Sequence, residues 1–168
     1  KGKEVVGRDE AFDRIKAAVD AREAGADILI LARTDARHQH GLTEAIDRAA
    51  KFKELGADIL FVEAPKSVAE MRTVCAELSG PKMANIVEGG ETPDLSPEEL
   101  KDIGYQIAAY PLSLMAAAMK AMVETLQTMK QGVPRDDKLM AWPDLRKRIG
   151  FDDYYAESER YASSRRDG

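Results

Sequence analysis

Three residues have the types and settings for shared chemistry: Arg33, Glu63 and Asn85. Each closes an apolar run. Ala26 to Ala32 runs into Arg33-Thr34-Asp35, Phe61-Val62 into Glu63-Ala64-Pro65, and Ala84 into Asn85, with Glu88-Gly89-Gly90 just beyond. An arginine grips a carboxylate or phosphate through two parallel hydrogen bonds. A glutamate can hold a metal-bound water or act as a base. An asparagine amide donates to a carboxylate or to a developing oxyanion. The Gly89-Gly90 pair lets backbone approach a ligand closely. The set suits a small acidic substrate and a divalent cation. One glutamate does not make a magnesium site, which wants several hard oxygen ligands and waters, so further carboxylates are expected from outside this sequence. The plainer reading of Arg33 is a salt bridge with Asp35 at a strand end.

The elements that must position these residues follow from periodicity. Glu23-Ala24-Gly25-Ala26-Asp27-Ile28-Leu29 recurs as Glu54-Leu55-Gly56-Ala57-Asp58-Ile59-Leu60, 31 residues on, which is the size of one strand-plus-helix unit. Weaker echoes surround Gly80 and Gly104. Each of the four glycines falls where a helix ends and a strand begins. Helices are expected over 9–24, 43–55, 67–78, from Ser96-Pro97 onward, and over 112–131. Ser67 with Glu70 and Ser96 with Glu99 have capping-box spacing. Strands are expected near 27–33, 58–63, 83–87 and 105–110. The first is apolar enough to be buried on both faces of a parallel sheet. Alternation of this kind means parallel strands with helical crossovers, and parallel folds keep their chemistry at the carboxyl ends of the strands. Four strands make an open sheet or half of an eight-stranded barrel, which needs about 250 residues in full.

The division expected is 1–131 for the strand-and-helix region and 132–168 for a linker and carboxyl-terminal helices. Gly132 to Asp137 is rich in breakers. Helices are expected over 143–149 and 152–162, with a frayed end from Ser163. This tail holds half of the aromatic residues, among them Trp142, Tyr154 and Tyr155. It folds back on its own domain or docks on a neighbouring subunit. Leu112, Met115, Met119, Met122, Leu126 and Met129 form a stripe expected to serve packing. His38 and His40 read as a solvated loop, since no third zinc ligand stands nearby. Cys75 reads as a small core residue.

The 168 residues carry a net charge of −5 with both signs mixed, so no basic face invites nucleic acid. No apolar run approaches the ~20 residues of a membrane span. One cysteine and no visible signal-peptide pattern point to a cytoplasmic setting, with an organelle left open. The opening Lys1-Gly2-Lys3, without a methionine, reads as the remainder of something longer.

Four segments together carry a resemblance. Leu31 to Ala36, Val62 to Pro65, Ala84 to Gly90 and Ala109-Tyr110-Pro111-Leu112-Ser113 resemble, in order and spacing over about residues 3–131, the isocitrate lyase and phosphoenolpyruvate mutase superfamily. The wording is nearest to 2-methylisocitrate lyase-like and carboxyvinyl-carboxyphosphonate phosphorylmutase-like members. The resemblance implies a (β/α)8 TIM-type barrel of which this chain supplies strands five to eight. It implies Mg²⁺ and a small 2-oxo or 2-hydroxy carboxylate substrate. Arg33 matches the arginine on the substrate carboxylate, Glu63 the acid near the magnesium waters, and Asn85 the substrate-contacting asparagine. Pro111 and Leu112 match the apolar pocket wall of lyases, whereas decarboxylases carry histidine at the Pro111 position. It also implies a homotetramer with exchanged helices. The family's gating loop and magnesium-binding aspartates are expected ahead of Lys1, in an amino-terminal half of the barrel. A carbon–carbon lyase is the leading expectation, with the fragment inactive alone. The alternatives are phosphorus–carbon chemistry on a phosphonopyruvate-like substrate, and a non-catalytic half-barrel that works only with a partner.

Overall fold

The computed structural model describes residues 4–162. The readings placed on Lys1-Gly2-Lys3 and on Ser163–Gly168 lie outside them. In chain order the elements are α1 (Arg8–Glu23), β1 (Leu31–Thr34), α2 (Ala36–His40), α3 (Leu42–Glu54), β2 (Ile59–Val62), α4 (Val68–Glu77), β3 (Met83–Asn85), α5 (Pro97–Ile103), β4 (Ile107–Ala109), α6 (Ser113–Lys130), α7 (Trp142–Arg148) and α8 (Phe151–Arg160). A single 3₁₀ turn, Asp136–Lys138, interrupts the linker.

All pairings are parallel. β1 pairs with β2, β3 with β4, and a bridge between Leu60 and Lys82 joins the two pairs. The strands therefore lie side by side in sequence order, each reached through a helix, and all their carboxyl ends share one rim. Gly25, Gly56, Gly80 and Gly104 all hold positive φ, as expected at helix-to-strand corners. At Gly104 the reason is twofold. Its φ of +117° disfavours any side chain, and an added Cβ would stand 3.2 Å from Cys75 Cβ. The Ser96 capping box is complete. At Ser67 only half of the expected box forms: Ser67 Oγ accepts from the Glu70 amide, but the Glu70 carboxylate instead accepts from the Lys66 amide and from Arg37.

Two findings correct the reading of the first strand. It begins at Leu31 rather than 27, because the Ile30 amide donates to the Asp58 carboxylate at 2.8 Å and leaves the ladder to start one residue later. It is also buried on one face only. Ile30 and Ala32 join the core cluster with residues of α1 and α3 and Thr34 is buried, whereas Leu29 is 73 % exposed. The helices of this chain cover a single face, so alternation replaces the double burial expected. His38 and His40 lie on the short helix α2 rather than in a loop.

The core lies between strands and helices. One cluster gathers Val19, Phe52, Leu60 and Val74, with Phe12 edge-on to Phe52 at 6.1 Å. A second gathers Met71, Ile86, Leu100 and Tyr105. Cys75, half-buried against this second cluster, is a packing residue as expected; burial pushes its thiol up. The chain forms two compact units, dividing between Ala116 and Ala117 within α6. The methionine stripe corrects another expectation: no residue of α6 is buried, and Met115, Met119 and Met122 are all more than half exposed. Within the second unit, α7 and α8 pack through Trp142, Phe151 and Tyr155, with the Arg146 guanidinium 5.4 Å from the Tyr155 ring.

Candidate active site

Arg33, Glu63 and Asn85 meet on the common rim. Register explains it: Thr34, beside Arg33, pairs with Val62, beside Glu63, and β3 follows on the other side of β2. Arg33 Nη2 lies 3.2 Å from Glu63 Oε1, and the Asn85 amide nitrogen donates to Glu63 Oε2 at 3.4 Å. Glu63 is thus the hinge of the cluster, with 15 % of its side chain exposed. The plain reading of Arg33 also holds as geometry. Its Nε donates to Asp35 Oδ1 at 2.5 Å and its Nη2 to Asp35 Oδ2 at 3.0 Å. Asp35, assisted by Glu63, raises the guanidinium's pKa further. The aspartate fixes the plane of the guanidinium, so the salt bridge and an anion-gripping role are compatible.

A cleft of about 410 Å³ opens beside the cluster. Asp35, Glu63 and Asn85 line it, together with Ala64, Val87 and Gly90. Its outer wall adds His38, Glu91 and Thr92. The sequence offers His38 only as a zinc ligand to be weighed and does not single out Glu91 and Thr92; the Gly89-Gly90 pair ahead of them is the available signal. Gly90 is required there, since an added Cβ would meet the Val87 carbonyl oxygen at 2.9 Å. Ala64 takes φ +55°, the one non-glycine residue in the left-handed region among those described. Backbone strain of this kind costs about 1–3 kcal/mol and gathers at functional sites. Here it turns the chain immediately after Glu63. Pro111 and Leu112 follow β4 and lie outside the lining of the cleft; Leu112 is 41 % exposed.

Among the described residues no group of three His, Cys, Asp or Glu side chains is placed to hold a metal ion. No helix among them is long and apolar enough to cross a membrane.

Parallel strands in sequence order, with arginine, carboxylate and amide gathered at their carboxyl ends, form the arrangement in which parallel α/β proteins hold small ligands. Comparison with known proteins gives the family. The Phosphoenolpyruvate phosphomutase family matches residues 1–130, and the chain belongs to this phosphoenolpyruvate mutase/isocitrate lyase superfamily. It is 38 % identical to 2,3-dimethylmalate lyase of Eubacterium barkeri over 169 residues, covering 98 % of this chain and 57 % of that protein. It is 36 % identical to 2-methylisocitrate lyase of Aeropyrum pernix over 157 residues, covering 92 % of this chain and 50 % of the other. A crystal structure of 2,3-dimethylmalate lyase superposes with a TM-score of 0.88 at 35 % identity, over 99 % of this chain and 56 % of that one. Oxaloacetate acetylhydrolase with its product oxalate gives 0.86 at 32 % identity, over 94 % and 55 %. The chain spans about half the length of the curated relatives it matches.

Proposed function

We propose that this chain is the strand five-to-eight half of a (β/α)8 barrel that cleaves a carbon–carbon bond in a small 2-hydroxy diacid of the alkylmalate type. One observation carries the reading: Arg33 and Asn85 each come within 3.4 Å of Glu63, and Glu63, Asn85 and the Asp35 that holds Arg33 all line one cleft. The lyases among the relatives, 2,3-dimethylmalate lyase and 2-methylisocitrate lyase, support the class of bond broken.

The chemistry follows from the side chains. Arg33, held flat by Asp35, binds a substrate carboxylate. Glu63 takes the proton of the 2-hydroxyl. The oxygen's electron pair then forms the C2 carbonyl, and the C2–C3 pair departs with C3. Asn85 donates to the oxyanion that develops. A 2-oxo acid and a second carboxylate result once C3 gains a proton from a group outside this chain. Mg²⁺ is the cofactor proposed for the whole protein. The described residues do not form its cage, and Glu63 would hold one of the ion's waters.

Among the described residues no strand pairs with the outer edge of β1 or of β4, which supports an amino-terminal half that closes the barrel. The uncovered stripe on α6 and the aromatic pair of helices α7 and α8 support a homotetramer with exchanged helices.

The experiment is a substrate panel with Mg²⁺, run on the protein made from its complete natural reading frame. Alkylmalates, methylisocitrate, oxaloacetate and phosphonopyruvate are compared. Turnover of an alkylmalate or methylisocitrate to a 2-oxo acid is expected. Turnover of phosphonopyruvate alone would move the assignment to phosphorus–carbon chemistry, and turnover of none would favour a non-catalytic half-barrel.

A further inference from the structure

The cleft's outer wall is a loop, residues 88–95, that joins β3 to α5 and has no ladder or helix of its own. Gly89 at its start has φ +74°, and the Gly90 amide donates to the Val87 carbonyl at 2.9 Å, so the chain turns sharply before it reaches the cleft. Leu95 anchors the far end of this loop on the second core cluster, and two polar contacts hold the part nearer the cleft. Ahead of the turn, the Glu88 carboxylate accepts a hydrogen bond from Ser113 Oγ, on the first residue of α6. Beyond it, Glu91 faces Lys66 Nζ at 3.7 Å, on the segment that follows β2. Ser113 holds the Glu88 carboxyl below its usual range. The amino end of an 18-residue helix is also a favourable place for a negative charge.

We propose that Ser113 is a positioning residue. By clasping Glu88 it fixes the loop at its glycine pivot and so sets where Gly90, Glu91 and Thr92 stand in the cleft. Both polar contacts lie at the surface, and the geometry assigns the stronger hold to Ser113, because its hydroxyl makes a hydrogen bond to a carboxylate whereas Lys66 and Glu91, 3.7 Å apart, make only an ion pair. The hydrogen bonds and ion pairs described for Glu88 and Ser113 do not run to Arg33, Glu63 or Asn85, so the clasp acts on substrate fit and leaves the bond-breaking groups in place. The inference rests on the cleft being the substrate site, as proposed above.

The test compares wild type, Ser113→Ala and Ser113→Thr in the complete natural protein. With the alkylmalate that wild type turns over best, Ser113→Ala raises KM about tenfold and leaves kcat within about twofold, as for lost binding that is uniform between ground and transition state. Ser113→Thr keeps the hydroxyl and stays near wild type. Amide exchange over residues 89–95 is measured on the same three proteins. It speeds up in Ser113→Ala and not in Ser113→Thr. Unchanged exchange in Ser113→Ala overturns the clasp, and so does a fall in kcat with KM constant. If wild type turns over no 2-hydroxy diacid, the substrate reading falls, and the exchange data still decide for or against the clasp.

Discussion

The Arg33 guanidinium lies over the ring of Phe61, 5.0 Å from its centroid, and the two residues are direct partners in the β1–β2 ladder. They share the face of the sheet that the helices do not cover. Phe61 is 4 % exposed there, beneath the arginine. The ring shields one side of the guanidinium while Asp35 and Glu63 hold its edge, so the arginine is fixed in place before any ligand arrives.

Replacing that arginine should separate fold from function. Arg33→Ala in the complete protein is expected to lower kcat/KM on an alkylmalate by about 10²–10³-fold, the scale of losing an electrostatic anchor at a developing charge. Circular dichroism and melting temperature should stay near wild type, since the residue contributes little to the core. Arg33→Lys should recover only part of the activity, because an ammonium offers no planar fork. Full activity in Arg33→Ala would remove the residue from the site.

Asn85 gives an independent test. Its amide is proposed to donate to the substrate oxyanion, so Asn85→Ala should lower kcat by about 10²-fold with a smaller change in KM. Asn85→Asp would put a second acid beside Glu63 and should be at least as damaging. Single-turnover kinetics would separate the chemical step from product release.

The ion pairs that join α1 to α3 give a prediction about pH. Glu44 accepts from Arg8 Nε at 2.9 Å and from Arg48 Nε at 2.7 Å, and these guanidiniums, Arg8 foremost, hold its carboxyl at about 2 against its ordinary 4.5. A carboxyl depressed in the folded state stabilises the fold above its unfolded value and loses that contribution as pH falls through the folded value. Stability should therefore fall as pH drops from about 4.5 towards 2. Glu44→Gln should flatten part of that slope and lower stability at neutral pH. Thermal melts at stepped pH measure both. Glu70, Glu88, Glu99 and Asp58 are also depressed, so some slope will persist in the variant.

Two core and capping variants test the fold itself. Leu60 is 1 % exposed where β2 meets the helix layer, so Leu60→Ala should cost about 2–5 kcal/mol by leaving a cavity. Ser96→Ala removes a complete capping box and should cost about 1 kcal/mol. Urea unfolding gives both values. A loss at Ser96 larger than that at Leu60 would contradict the packing described.

Local signals determined much of this protein. The repeated Gly-Ala-Asp-Ile-Leu block placed two helix-to-strand corners, because only glycine accepts the left-handed turn there at little cost. Apolar runs ending in Arg33, Glu63 and Asn85 gave three strand ends with polar residues, and a parallel topology obliges such ends to share a rim. What the tertiary structure alone decided is pairing across that rim. Nothing in the spacing of Glu63 indicates that it would bridge Arg33 and Asn85, that Ala64 would carry the strained turn behind it, or that Ser113 would reach Glu88 from 25 residues away. Burial likewise depends on neighbours: Leu29, Leu31 and the apolar residues along α6 look like core in one dimension, and they stand exposed because the described elements leave them uncovered. Hydrophobicity states what a residue would gain from cover, and only the arrangement of the other elements determines whether cover is there.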